Sequence, residues 1–150
     1  MKLVHSDVFG KLETYYNDFN YFVTFLDDLS RKFWVYLIKH KSDVTNIHNK
    51  SCKFISNITS YNIINLKSDN GTEYINKSLI NNLNDNGVNF LHSVSGNLQH
   101  NVPAEWLNQS LNSCESTLLN LDKLPYKFCD STILYAVYLN NLKPHQSFNN

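Results

Sequence analysis

Three acidic residues carry the chemistry that this sequence could perform. Asp7 follows a short apolar run, Asp69 follows another, and Glu105 lies at the start of a long helical pattern. Hard divalent cations such as Mg²⁺ prefer carboxylate and other oxygen ligands. Two such ions about 4 Å apart can activate a nucleophile and stabilise a leaving oxygen in phosphoryl transfer. If the fold brings the three carboxylates together, we expect a site for two ions, Mg²⁺ or Mn²⁺.

The elements that must position these acids are predicted from apolar periodicity and from cap and turn signals. Aromatic and β-branched runs predict five strands, over residues 3–9, 20–27, 32–38, 62–67 and 88–92. Helical spacing predicts helices over 42–59 with Ser42 as N-cap, over 77–86, over 103–121, and a last helix that opens at Pro125. Three strands, a helix, and then alternating strands and helices indicate a mixed sheet with helices packed on it.

Some details of packing follow from the same patterns. Strand 32–38 is apolar on both faces and includes Trp34 and Tyr36, which indicates either a central, doubly covered strand or an interface. The apolar stripe of the first helix is predicted at Val44, Ile47, Phe54, Ile55 and Ile58. Four histidines lack a cysteine pair at zinc spacing, so we expect them in surface or loop positions: His40, His48, His92 and His100.

Composition indicates one globular, intracellular domain. The chain has 150 residues, 42% hydrophobic and 17% charged, which is enough to bury a core. No apolar run approaches the roughly 20 residues that span a bilayer, and the N-terminus lacks a secretory stretch, so we expect neither membrane association nor secretion. Three cysteines without CxxC spacing indicate reduced, mostly buried thiols. Together these features predict residence in the nucleus, the cytoplasm or both.

The balance of charge argues against strong non-specific DNA binding. Lysine and arginine total 13, aspartate and glutamate total 13, and Arg31 is the only arginine. Affinity for DNA comes mainly from neutralising phosphates with lysine and arginine. A DNA-binding chain of zero net charge must therefore concentrate its cations locally, and the visible cluster is Lys39, Lys41, Lys50 and Lys53.

Several sequence blocks resemble the integrase catalytic core of copia-type, yeast Ty-like LTR retrotransposons. The blocks are HSDVFG, DDLSRKFWVY, SDNGTEY, AEWLNQSL and KLPYKFCDSTILYAVYLNN, and they occur in the family's order and spacing across nearly the whole chain. The resemblance implies a ribonuclease-H-like α/β fold, a mixed five-stranded sheet flanked by helices. It also implies a Gag-Pol polyprotein as the parent of this chain.

The same resemblance implies an activity and a set of site residues. The activity is two-metal polynucleotidyl transfer, which trims the 3′ ends of the element's cDNA and joins them to target DNA. Asp7, Asp69 and Glu105 would be the catalytic metal ligands, and His5 and Asn70 would orient them. The expected partners are DNA, bound weakly, and a second copy of the chain in a homodimer.

Departures from the family pattern predict weak activity. Val102 stands where the family has a flexible glycine, and Trp106 and Gln109 replace residues that are usually basic. The loop 95–98 lacks the usual prolines and tyrosine. We expect a core over 1–142 with a frayed tail over 143–150, and we expect the family's zinc-binding N-terminal and basic C-terminal domains to be absent. The chain is thus predicted to derive from a truncated or decayed element and to be impaired or inactive alone.

Less specific roles remain open for each acid, and two other functions compete. Asp7 could be an ordinary turn residue at a strand end, Asp69 precedes Asn-Gly, a turn former, and Glu105 could simply stabilise a helix N-terminus. Glu73 is expected to be structural, and Asp27 and Asp28 to form a turn with Arg31. A ribonuclease-H-type nuclease would need a fourth acid on the first helix, where only Asp43 is available. A non-catalytic dimerisation remnant would expose a large apolar patch, for which Trp34, Trp106 and the last helix are the candidate places.

Overall fold

The computed structural model describes residues 1–10, 18–69, 71, 74–92, 101–121, 123, 125 and 128–143. The strands in this part of the chain are β1 Leu3–Phe9, β2 Tyr21–Asp27, β3 Phe33–Ile38, β4 Asn65–Ser68 and β5 Asn89–His92. The helices are α1 Val44–Thr59, α2 Lys77–Asp85, α3 Val102–Leu121 and α4 Cys129–Asn141, and a 3₁₀ turn at Lys41–Asp43 precedes α1. No helix among the described residues is both long and apolar enough to cross a membrane.

The five strands form one mixed sheet in the order β3-β2-β1-β4-β5. β1 pairs with β2, and β2 with β3, in antiparallel register, and a short turn connects β2 to β3. β4 pairs in parallel with β1 and with β5, because α1 and α2 carry the chain back across the sheet. The predicted mixed five-stranded sheet is confirmed, and β1 lies at its centre.

Helices cover both faces of the sheet and create two cores. Successive side chains of a strand point to opposite faces, so on β2 Val23 and Phe25 enter the core under α1 and α2. Phe22 and Leu26 enter the other core, under α3 and α4. This alternation decides which face of β1 looks toward α3, and therefore where the side chain of Asp7 points.

The position of β3 corrects one prediction. The strand lies at the edge of the sheet rather than in the middle. Trp34 and Tyr36 pack against the α1 side, while Val35 and Leu37 pack against the α4 side, and all four are only partly buried. The pattern of apolar residues correctly indicated cover on both faces, but periodicity within one strand carries no information about how many neighbours that strand has.

The buried face of α1 differs from the predicted stripe. Phe54 and Ile58 are about half exposed, whereas His48 and Ser51 are buried beside Ile55. The prediction that His48 lies on the surface is therefore wrong, although His40 is exposed as expected. Polar groups enter this core because they find partners within the helix: the Ser51 hydroxyl donates to the His48 carbonyl at 2.9 Å.

Several element boundaries differ from those predicted. Ser42 lies inside the 3₁₀ turn, and Asp43 is the residue that precedes α1. β4 starts at Asn65, three residues later than predicted, and α4 starts at Cys129 rather than at Pro125. Gly87 follows α2 with a φ of +68°, a left-handed conformation that glycine adopts without strain. Of the predicted tail, residues 144–150 lie outside the described residues.

Candidate active site

Asp7 lies on the central strand, near the end of the sheet at which β4 also ends. β1 and β4 are in parallel register, with Val4 opposite Leu66 and His5 opposite Lys67. Carried two residues further, this register sets Asp7 opposite Asp69, the residue that directly follows β4. Asp69 itself is partly buried, and its Oδ1 accepts a hydrogen bond of 3.1 Å from the amide of Gly71.

Helix α3 is attached to β1 by Asn101, the residue before its first turn. The side-chain amide of Asn101 donates to the Ser6 carbonyl at 3.0 Å. The Asn101 carbonyl accepts the backbone N–H groups of Ala104 at 3.0 Å and Glu105 at 3.1 Å. The start of the helix, with Glu105 in its first turn, is thus fixed above the residue that precedes Asp7.

Asn108 connects the same helix directly to the Asp7 carboxylate. Its side-chain amide donates to Asp7 Oδ2 at 2.7 Å, and its side chain is almost completely buried. The other oxygen, Oδ1, accepts the Val8 amide at 2.9 Å. Asn101, Glu105 and Asn108 recur at helical spacing of four and three residues, so they share the face of α3 that looks toward β1.

The electrostatics of Asp7 indicate that the other two acids lie nearby. The pKa of Asp7 is raised to about 6, mainly because burial disfavours the charged form and next because of the negative charge of Asp69. Hydrogen bonds from Asn108 and Val8 act in the opposite direction, and Glu105 adds a smaller upward contribution. The region around Asp7 therefore carries an excess of negative charge.

The ligand atoms in this region are of the type that binds a divalent cation. Carboxylate oxygens are the ligands that Mg²⁺ and Mn²⁺ prefer, and a cation would relieve the charge excess around Asp7. The Oδ1 atom of Asn108 is buried without a hydrogen bond, so one further oxygen is available in this region. The described residues nevertheless contain no group of three His, Cys, Asp or Glu side chains arranged to hold an ion together. Carboxylates repel one another, and a bound cation would draw them together.

His5, which was predicted to orient the metal ligands, contacts Asp28. It lies two residues before Asp7 on the same face of β1 and is buried, but its Nε2 is 3.2 Å from Asp28 Oδ1. Arg31 is 3.6 Å from the same oxygen. The turn role predicted for Asp28 and Arg31 is thus confirmed, while a role of His5 toward Asp7 stays a prediction. Asn70, Glu73, His100 and the loop 95–98 lie outside the described residues.

The sequence analysis assigned no role to Asn101 or Asn108. A signal existed, because the two residues flank Glu105 at helical spacing. Composition obscured this signal, because the chain contains 23 asparagines and, among the described ones, only these two are buried. Nothing local distinguishes the two asparagines that contact β1 from the rest.

The chain is similar to known proteins over most of its length. The family model described as "Integrase core domain" matches residues 1–97. The "Retrovirus-related Pol polyprotein from transposon TNT 1-94" of Nicotiana tabacum is 36% identical over 145 residues, which cover 96% of this chain and 11% of that polyprotein. The chain therefore spans about a tenth of the length of this relative.

A solved structure is similar in fold. It is described as "CryoEM structure of simian T-cell lymphotropic virus intasome in complex with PP2A regulatory subunit B56 gamma". One of its chains superposes with a TM-score of 0.77 at 14% sequence identity, over 97% of this chain and 50% of that chain. Together with the mixed sheet and flanking helices, this superposition confirms the ribonuclease-H-like fold. The match to the family model extends over most of the sequence, and the chain belongs to the integrase core domain family, among the Pol polyproteins of LTR retrotransposons.

Proposed function

We propose that the chain performs polynucleotidyl transfer on DNA, trimming the 3′ ends of a retrotransposon cDNA and joining them to target DNA. The observation that carries this proposal is that the charges of Asp69 and Glu105 both act on Asp7, whose carboxylate Asn108 holds at 2.7 Å. Three acids from two strand ends and one helix thus share one region. Water would attack in trimming, and a DNA 3′-hydroxyl in joining, without a covalent enzyme intermediate.

Each residue has a distinct part in this proposal. Asp7 and Asp69 would hold two divalent ions between them, and Glu105 would complete the ligand set of one. When bound, such ions lower the pKa of the nucleophile and neutralise charge on the phosphate. Asn108 fixes the orientation of the Asp7 carboxylate, and Asn101 keeps the first turn of α3 beside β1.

We further propose that activity is weak in this chain and that DNA binding is weak. The net charge is zero with one arginine, so few phosphates can be neutralised. Val102 and Trp106 are exposed at the start of α3, where the family resemblance leads us to expect glycine and a basic residue. These substitutions lie beside the proposed ligands but leave their carboxylates intact.

A second candidate function, dimerisation, is supported by one surface. The α4 apolar face, formed by Leu134, Tyr135, Tyr138 and Leu142, is about half exposed or more. The rings of Tyr135 and Tyr138 stack with centroids 6.3 Å apart. An exposed apolar patch of this kind is typical of an interaction site, so we propose that a second copy covers it. No observation favours a ribonuclease-H-type nuclease, because Asp43 already accepts a hydrogen bond from the His40 amide.

We propose that the protein works inside the cell, in the nucleus, the cytoplasm or both. Cys52, Cys114 and Cys129 form no disulfide in the part of the chain that the structure describes, and Cys52 and Cys129 are buried. Persistent free thiols are typical of a reducing compartment.

The test of the main proposal is a disintegration assay with Mn²⁺ on the purified chain, with Asp69→Asn and Glu105→Gln as variants. We expect slow strand transfer that both substitutions abolish, because each removes a charge needed to hold an ion. A matched control is Asp85→Asn, which changes an exposed carboxylate on α2, a helix on the opposite face of the sheet. Folded, monodisperse protein without any cleavage would refute the catalytic proposal and leave dimerisation as the function to test.

A further inference from the structure

A cleft beside the proposed active site combines features that bind single-stranded nucleic acid. It lies between the β2–β3 turn, the first two turns of α3 and the end of α4. Its volume is about 360 Å³, which is within the range of ligand pockets, roughly 300–1,000 Å³. We call this surface the Trp106 cleft. Its base is formed by the buried apolar side chains of Leu26, Phe33 and Leu107. Its rim is formed by the charged or aromatic side chains of Arg31, Trp106 and Lys143.

The Trp106 cleft and the proposed active site lie on opposite flanks of the first two turns of α3. Pro103, Trp106, Leu107 and Ser110 follow the spacing of three, four and seven residues that defines one face, and all four line the cleft. Glu105 and Asn108 lie on the other flank, which looks toward Asp7. A ligand that crosses the first two turns of α3 would contact both flanks.

The rim of the cleft is positively charged. The side chain of Lys143 donates to Asn140 Oδ1 at 2.9 Å, a neutral partner that leaves the charge of the ammonium uncompensated. Arg31 is 3.6 Å from Asp28, but its side chain is 42% exposed, and Asp28 also contacts His5. Of the described residues that line the cleft, none is acidic. In a chain of zero net charge, this is a local surplus of the kind that phosphates require.

Trp106 adds a flat apolar surface to this charge. Its side chain is 68% exposed, a large fraction for a residue type that is highly buried on average. Exposed aromatic rings in basic grooves stack on unpaired bases, whereas a base inside a duplex is already stacked on its neighbours. The combination therefore favours a single-stranded ligand over a double-stranded one.

We propose that the Trp106 cleft binds a nucleotide of a single-stranded DNA end, with its base stacked on Trp106 and its phosphates held by Arg31 and Lys143. The choice of DNA as the ligand rests on the function proposed above. In this arrangement the strand reaches the proposed carboxylate site across the first turns of α3. Trp106 then supplies by stacking part of the affinity that a basic residue would supply by charge.

The test uses the fluorescence of the tryptophan itself. The chain has two tryptophans, so Trp34→Phe leaves Trp106 as the only one in the chain. We expect a thymidine oligonucleotide of eight residues to quench Trp106 emission in a saturable titration at 50 mM salt. Replacing Trp106 by Ala in the otherwise unchanged chain, followed by fluorescence anisotropy of a labelled oligonucleotide, should weaken binding roughly 5- to 150-fold.

The charge arm of the test uses Arg31→Gln combined with Lys143→Gln. Two lost phosphate contacts should reduce the slope of log K against log salt by about 1.4, at about 0.7 for each contact with single-stranded DNA. Lys2→Gln combined with Lys77→Gln is the matched control, because both lysines are exposed and neither lines the cleft. An equal loss of affinity in the control and in the Arg31 and Lys143 double variant would overturn the assignment of the phosphates to this cleft.

Further outcomes separate this inference from the proposed function. Base stacking would be overturned if an abasic oligonucleotide bound as tightly as the thymidine strand. It would also be overturned if the oligonucleotide did not quench Trp106 emission. Quenching without strand transfer would refute the catalytic proposal and leave the cleft assignment standing. Strand transfer without quenching would do the reverse.

Discussion

Lowering the pH should destabilise this protein through His48, the buried histidine of α1. The ring is 5.5 Å from the ring of Phe25, in an edge-to-face arrangement, and its Nδ1 is 3.4 Å from Cys52 Sγ. Burial disfavours the charged imidazolium and lowers the pKa of His48 from 6.5 to about 4. The same environment raises the pKa of the Cys52 thiol to about 12, so the cysteine provides no anion to stabilise a protonated ring.

The sign and size of the effect follow from linkage. Between pH 6.5 and about 4, the unfolded chain binds a proton at His48 that the folded chain does not, so stability rises with pH in this window. At pH 7 both states are essentially neutral, and at pH 5 the unfolded state is protonated. The loss between pH 7 and pH 5 is about 2 kcal/mol. In a domain of this size it corresponds to a fall in Tm of roughly 4–8 °C.

The assay compares urea unfolding at pH 7 and pH 5 for the wild type and for His48→Leu. Leucine removes the titrating group from an apolar site, so we expect the variant to lose about 2 kcal/mol less than the wild type between the two pH values. Other titrating groups cancel in this comparison. The control is His40→Gln, which changes an exposed histidine and keeps the backbone hydrogen bond from residue 40 to Asp43. Equal losses in the wild type and His48→Leu would refute the reasoning.

Three further predictions concern the site and the surface. Asn108→Leu removes the 2.7 Å hydrogen bond to the Asp7 carboxylate, worth roughly 1.5–3 kcal/mol, and should slow strand transfer about 10- to 100-fold. The control Asn112→Leu, one turn further along α3, should leave the rate unchanged. Equal rates in the two variants would show that Asn108 has no role in the site. In differential scanning fluorimetry, Mg²⁺ should raise the Tm of the wild type but not that of Asp7→Asn, because the variant lacks the central ligand. An equal rise in both proteins would place the ion elsewhere. Tyr138→Asp puts a charge in the α4 apolar face and should convert dimer to monomer in analytical ultracentrifugation, whereas Lys53→Gln should not; an unchanged dimer would exclude this face as the interface.

Local patterns in the chain predicted the elements well because the interactions that form them are local. Alternation predicted β1 at the bounds that the structure has, and helical spacing with Pro103 predicted α3 to within one residue at its start. The end of α2 at a glycine was also predicted, because a positive φ is an intrinsic property of that residue. Boundaries were wrong where several starts were compatible with the same residues, as at Ser42 and Pro125.

Burial was harder to predict than secondary structure, because it depends on which surfaces meet. The face of α1 was misplaced because Phe54 and Ile58 look like core residues, while His48 and Ser51 do not. The helix is oriented by the sheet and by α2, and its polar residues are tolerated where an internal hydrogen bond is available. The edge position of β3 likewise depends on the order of strands, which no single strand specifies.

The amino-acid sequence by itself determined most of the secondary structure, because cap signals and periodicity are local, and it led to the prediction of three acids and of metal chemistry. Only the tertiary structure decided that Asn108 donates to Asp7 across 101 residues of sequence and that Asn101 ties α3 to β1 across 95. It also decided that Arg31, Trp106 and Lys143 share one cleft. The physical reason is that these contacts join elements that meet only when both cores pack, so their energies belong to the whole fold and have no local pattern.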